Sequence, residues 1–155
     1  MNENKEKCGV LALIGIESYT TEFLLDCLVN IQHRGRESFG ICFKDNIEEN
    51  LITRTFNDLI VIAKQSMDID FLLKTTNTAL LHTRYSTSGE KETGTINSMP
   101  ITDTHIQKSI GEFTMVFNGN IPFDEKYLEL DELKDQKKSL MENYVDTQMI
   151  VQFIK

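Results

Sequence analysis

Residues 10–16 form an unbroken apolar run between Gly9 and Gly15, the pattern of a strand buried on both faces. The period then changes. Phe23, Leu24, Cys27, Leu28 and Ile31 recur at helical spacing behind Thr20 and Thr21, either of which suits an N-cap, so residues 21–32 are predicted to form an amphipathic helix. Residues 40–43 and Leu51–Phe56 read as two strands joined by a polar turn over 44–50. A short helix capped by Ser66 is expected over 66–74, followed by a strand over 78–85 that runs into a loop rich in Ser, Thr and Gly. A further strand over 113–117 ends at Asn118-Gly119-Asn120, and the last thirty or so residues read as helical. They are heavily charged over 124–138 and strongly apolar over 147–154. Strands spaced this closely, with helices in two places, predict sheets covered by helices on their outer faces rather than alternating βαβ units.

Composition narrows the function classes. The chain has 155 residues, 40% hydrophobic and 26% charged, enough for one globular core. A net charge of -8 opposes binding to a phosphate backbone, and the longest basic cluster is the pair Lys137-Lys138, so no nucleic-acid role is expected. The first residues lack the apolar stretch of a secretory signal, and no apolar run reaches the roughly eighteen residues of a membrane span. The default expectation is a cytoplasmic protein with no membrane role. Cysteines at 8, 27 and 42 and histidines at 33, 82 and 105 show neither paired nor ligand-like spacing, which supports no disulfide framework and no metal site. Cys27 on the helical stripe and Cys42 in a strand read as packing residues.

Cys8 is different because of its position. Only seven hydrophilic residues precede it, and their removal as a leader (residues 1–7) would make it the amino terminus. A terminal cysteine holds a nucleophile and a base on one residue, since the thiol (reference pKa about 8.5) and the α-amine (about 7.7–8.0) both titrate near neutrality. Taken alone, Cys8-Gly9-Val10 reads first as a small buried cysteine opening a core strand.

Four further segments decide between these readings: Gln32-His-Arg-Gly-Arg-Glu-Ser-Phe-Gly40, His82-Thr-Arg-Tyr-Ser-Thr-Ser-Gly89, Phe117-Asn-Gly-Asn-Ile121 and Asp146-Thr-Gln148. In this order behind Cys8, they resemble the class II glutamine amidotransferases, whose catalytic domain is an N-terminal-nucleophile (Ntn) hydrolase. Gln32–Gly40 and Arg84-Tyr-Ser-Thr87 look most like the glutaminase domain of amidophosphoribosyltransferase, which opens purine synthesis. The resemblance implies an α+β fold, a four-layer αββα sandwich of antiparallel sheets of the Ntn-hydrolase type. It covers residues 8–155 as the N-terminal portion of the amidotransferase domain, an incomplete sandwich with no phosphoribosyltransferase domain following.

It also implies roles. Cys8 would attack the glutamine carboxamide, with its freed amine as base and then acid. Asn118, through its side-chain amide, and Gly119, through its backbone N–H, would form the oxyanion hole, although Asn-Gly is equally a strand-ending turn. Arg84 would clamp the substrate carboxylate with its planar fork, near Thr87, and Asp146 would hold the substrate ammonium. Asp146 also suits an N-cap of the last helix. Arg34 and Gly35 would support the site, and His82 reads as a structural hydrogen-bonding residue. The chain departs from the family pattern at Phe117 (usually His), Gln148 (usually Glu) and Arg36 (commonly Gln), which is expected to weaken activity before abolishing it. No cofactor is evident; magnesium or an iron–sulfur cluster of relatives would involve parts outside this chain. The implied partners are glutamine and a phosphoribosyltransferase domain or subunit as ammonia acceptor, with a homo-oligomer compatible. The amidotransferase domain of glucosamine-6-phosphate synthase stands second, because its usual segments fit Gln32–Gly40 and Arg84–Thr87 less well. A catalytically inactive glutamine-binding or scaffold fragment stands third.

Overall fold

In the computed structural model residues 8–85, 98–103 and 113–118 are described, and nearly all of them fall in a unit comprising residues 1–102 and 114–118. The chain runs β1 (Gly9–Thr20), α1 (Thr21–Val29), a 3-10 turn (Gln32–Arg34), β2 (Ser38–Lys44), β3 (Leu51–Phe56), α2 (Ile60–Ser66), α3 (Ile69–Leu73), β4 (Thr75–Arg84), β5 (Ile101–Asp103) and β6 (Phe113–Met115). The first four strands make an antiparallel sheet in the order β1-β4-β2-β3. β5 and β6 pair separately.

Register decides which side chains share a face, because paired residues project together and neighbours along a strand alternate. Leu11, Leu81 and Ile41 lie in one row, as do Leu13, Ala79 and Phe43. This face packs against Leu24, Leu25 and Leu28 of α1, Ile60 and Ala63 of α2, and Phe71 and Leu72 of α3, forming the core. Leu25, Leu28, Phe39, Ile41, Ile60 and Leu81 are fully buried, each stabilising the fold by about 1.5–3 kcal/mol before the entropy of ordering is counted. The opposite face carries Val10, His82 and Gly40 in one row. Residues 98–100 cross it so closely that a Cβ on Gly40 would stand 2.1 Å from the Met99 carbonyl oxygen. Ser98 and Ser38 bond through their hydroxyls at 2.8 Å on the same side.

Most expected elements are present, with displaced ends. Thr20 is the N-cap of α1, its hydroxyl accepting the Phe23 N–H. The helix stops at Val29 and tightens into the 3-10 turn. The helix expected over 66–74 is instead two: Ser66 ends α2 rather than beginning a helix, Met67 is extended, and Asp68 caps α3 by accepting from the Phe71 N–H. The error came from choosing a serine cap when an aspartate two residues later serves the apolar pair Phe71 and Leu72. Cys42 is buried as expected, its sulfur between the hydroxyls of Thr53 and Thr114. Cys27 is only half-buried, since α1 turns Leu24, Leu25 and Leu28 to the core. None of the described helices is long and apolar enough to cross a membrane. β1 is an edge strand among the described residues, and its outer half projects Ile14 and Ile16 into solvent. The expected helices beyond residue 120 lie outside the described residues.

Candidate functional site

The sheet delivers Cys8 to one end of the helix-free face. Gly9 pairs with Thr83 at the limit of the β1–β4 ladder, and its N–H donates to the Thr83 hydroxyl at 3.1 Å. A Cβ on Gly9 would stand 2.6 Å from that oxygen and 3.1 Å from Ile31 Cδ1, so the glycine of Cys8-Gly9 is a requirement of close packing. Beyond the ladder the half-buried Cys8 thiol takes over the bonding of β4's end. Its sulfur lies 3.4 Å from the Tyr85 N–H donor and 3.6 Å from the Tyr85 carbonyl.

The Cys8 carbonyl is held as firmly. It accepts from Asn118 Nδ2 at 2.8 Å and from Arg34 Nε at 3.3 Å. Asn118 is exposed, and this is the bond its amide makes among the described residues. The Gln-His-Arg-Gly segment that brings in Arg34 is built residue by residue. Gln32 Oε1 accepts the Ile60 N–H and so closes the first turn of α2, and the His33 ring meets the Asn30 carbonyl at 3.1 Å. Gly35 lies flat on β4, where a Cβ would come within 2.6 Å of the Arg84 carbonyl group. The Glu37 N–H then donates to the Arg84 carbonyl, and Ser38 pairs with Arg84 as β2 begins.

Arg84 therefore leaves the sheet beside Cys8, with its main chain fixed from two sides. Its guanidinium makes no ion pair among the described residues, whereas Arg54, Lys64 and Lys74 each do. His82, two residues before Arg84, is fully buried, and among the described residues neither ring nitrogen has a partner at hydrogen-bonding geometry, although the Phe117 backbone acts on the ring. Burial lowers its pKa to about 4, opposed by a hydrogen-bonding interaction with the Phe117 backbone and reinforced to a smaller degree by the Arg84 charge. His82 is thus a neutral ring packed beneath the segment that carries Asn118, with Phe117 held above by its N–H on the Met99 sulfur at 3.2 Å.

The structure brings together Cys8, Arg34, Gly35, Arg84 and Asn118, with His82 below them. Gly119, Thr87 and Asp146 lie outside the described residues. Reading the sequence missed Thr83, Tyr85 and Gln32. Their contacts are main-chain bonds or bonds to main chain, which no residue pattern advertises. Among the described residues no group of His, Cys, Asp and Glu is placed to hold a metal ion. Chemically, the arrangement offers a thiol held by the Tyr85 main chain, a side-chain amide on the same residue's carbonyl and a guanidinium with no ion pair among the described residues, parts suited to attacking a carbonyl carbon and gripping an anion.

No family model matches the chain. Curated proteins do. The chain is 30% identical over 148 residues to the isomerizing glutamine–fructose-6-phosphate aminotransferase of Bacillus subtilis. It is 29% identical over 148 residues to that of Vibrio parahaemolyticus and 27% to that of Methanothermobacter thermautotrophicus. Each match covers 96% of this chain and 22% of the relative, so the chain spans about a fifth of the length of these proteins. These relatives support the resemblance to class II amidotransferases. They do not support the leaning toward amidophosphoribosyltransferase and purine synthesis, since they are of the hexosamine-phosphate kind that the motifs ranked second.

Proposed function

We propose that this chain is the glutamine-hydrolysing part of an amidotransferase of the glutamine–fructose-6-phosphate type, with Cys8 as nucleophile. One observation carries the reading. Segments far apart in sequence, at Arg34, Tyr85 and Asn118, converge on the thiol and carbonyl of one cysteine, an investment that a packing residue does not need.

The chemistry follows from the parts. The Cys8 sulfur adds to the side-chain amide carbon of glutamine, and the oxygen of the tetrahedral adduct gains negative charge. The Asn118 amide and the Gly119 N–H stabilise that oxygen, each donor being worth on the order of 100 to 1000-fold in rate. Once residues 1–7 are removed, the Cys8 amine takes the thiol proton and passes it to the departing ammonia. Water then cleaves the thioester and glutamate leaves. Arg84 binds the α-carboxylate of glutamine through both oxygens, near Thr87, and Asp146 takes its ammonium. The antiparallel sheet with helices on one face serves as half of an αββα sandwich, with the site on the face that meets the second sheet. Ammonia passes to a synthase domain or subunit whose acceptor is a hexose phosphate, by analogy with the relatives' names.

The test is ammonia release from glutamine by the purified chain. Cys8→Ala abolishes it, whereas Cys27→Ala and Cys42→Ala retain it, because those sulfurs lie away from the site. A chain that hydrolyses glutamine with Met1–Lys7 still attached, judged by intact mass, would contradict the amine's part in the mechanism. Equal loss in all three variants would contradict the assignment of Cys8.

A further inference from the structure

We infer that Thr83 is a positioning residue for the Cys8 nucleophile, its hydroxyl fixing the Gly9 amide so that the thiol is delivered to the Tyr85 main chain. Resting on the reading of Cys8 given above, the argument begins with an arrangement that ordinary strand pairing does not need. The Gly9 N–H, next in sequence to the reacting residue, donates to a buried side-chain hydroxyl on the paired strand. Thr83 is fully buried, so the hydroxyl is not exchanged for water. The contact is enforced from both sides, because Gly9 lacks the Cβ that would strike the oxygen at 2.6 Å.

The geometry of Cys8 depends on this point. Gly9 is the first residue of β1 in register, and Cys8 before it is held by side-chain and carbonyl bonds alone among the described residues. Fixing the Gly9 nitrogen fixes the plane of the peptide that carries the Cys8 carbonyl. That plane sets where the carbonyl meets Arg34 and Asn118, and where Cβ aims the sulfur. Thr83 touches neither substrate nor sulfur; it acts through Gly9.

The experiment compares Thr83→Val, which keeps the shape and removes the hydroxyl, with Thr83→Ser, which keeps the hydroxyl. Two readouts are taken on the full chain: kcat and KM for glutamine hydrolysis, and the rate at which iodoacetamide labels Cys8 at pH 7, followed by peptide mass spectrometry. Thr83→Val is expected to lower kcat and the labelling rate by about tenfold with KM within twofold, as befits loss of orientation without loss of substrate binding. Thr83→Ser restores both. Thr83→Ala replaces Thr83→Val in the comparison if circular dichroism finds the valine variant unfolded. Parental labelling and kcat in the hydroxyl-free variant would overturn the inference, as would a serine variant as impaired as valine. The labelling arm needs no turnover. A parent chain inert toward glutamine but labelled in a hydroxyl-dependent way therefore overturns the proposed function and leaves the positioning role standing.

Discussion

His82 shows at the scale of one residue how burial sets pH behaviour. In the unfolded chain a histidine titrates near 6.5, and in the fold this one titrates near 4. The folded state therefore holds fewer protons between these values, so stability falls as pH drops through 6.5 and levels off below 4. The loss between pH 7 and pH 5 is about 2 kcal/mol by this linkage. His82→Leu, which removes both the titration and two buried nitrogens, is expected to flatten that dependence at little or no cost at pH 7. Urea unfolding midpoints at the two pH values test this. An undiminished slope in the variant would assign the dependence elsewhere. The histidine itself was legible in His82-Thr-Arg-Tyr85, but its burial was not. That follows from strand register and from the main chain of residues 98–100 lying over Gly40, neither of which a motif encodes.

Among elements, the turn between β2 and β3 is tied down by charge. Asp45 is buried, bonds Lys74 and accepts the Ile47 N–H, and these contacts hold its carboxyl below the usual value of 3.8. Its contribution is present above that value and fades as pH falls through the lowered folded value. Asp45→Asn is expected to lower Tm at pH 7, with the gap from the parent closing as the pH falls below about 4. A gap that persists in acid would mean that shape rather than charge is at work. For α1, Thr20→Ala removes the cap bond to Phe23 and should cost about 1 kcal/mol in chemical denaturation. The cap was readable to within one residue, because the helical spacing of Phe23, Leu24 and Leu28 places the helix start at Thr20 or Thr21. The break between α2 and α3 was not, because residues 60–74 are apolar enough to satisfy several helical phases, and packing against α1 and the sheet chooses among them.

Among the described residues, the helices pack on one face of the sheet, while Cys8 and His82 lie on the side of the other face, where the chemistry is proposed. The core can thus be altered without touching the site. Leu28→Ala is expected to cost about 2–5 kcal/mol in unfolding free energy and leave the KM for glutamine unchanged, measured at a temperature where the variant is folded. The order of motifs made this arrangement legible in outline, since Cys8, Arg84 and Asn118 were each singled out before their proximity was known. The choice between enzyme kinds was not, because both share the residues that do the chemistry and differ in what surrounds them. The bonding at Cys8 has one more consequence. Its sulfur and carbonyl are anchored, and the next residue is pinned at its nitrogen. None of these bonds is made by the Cys8 nitrogen, so removal of residues 1–7, as proposed, would expose an amine on a residue whose sulfur and carbonyl keep their contacts.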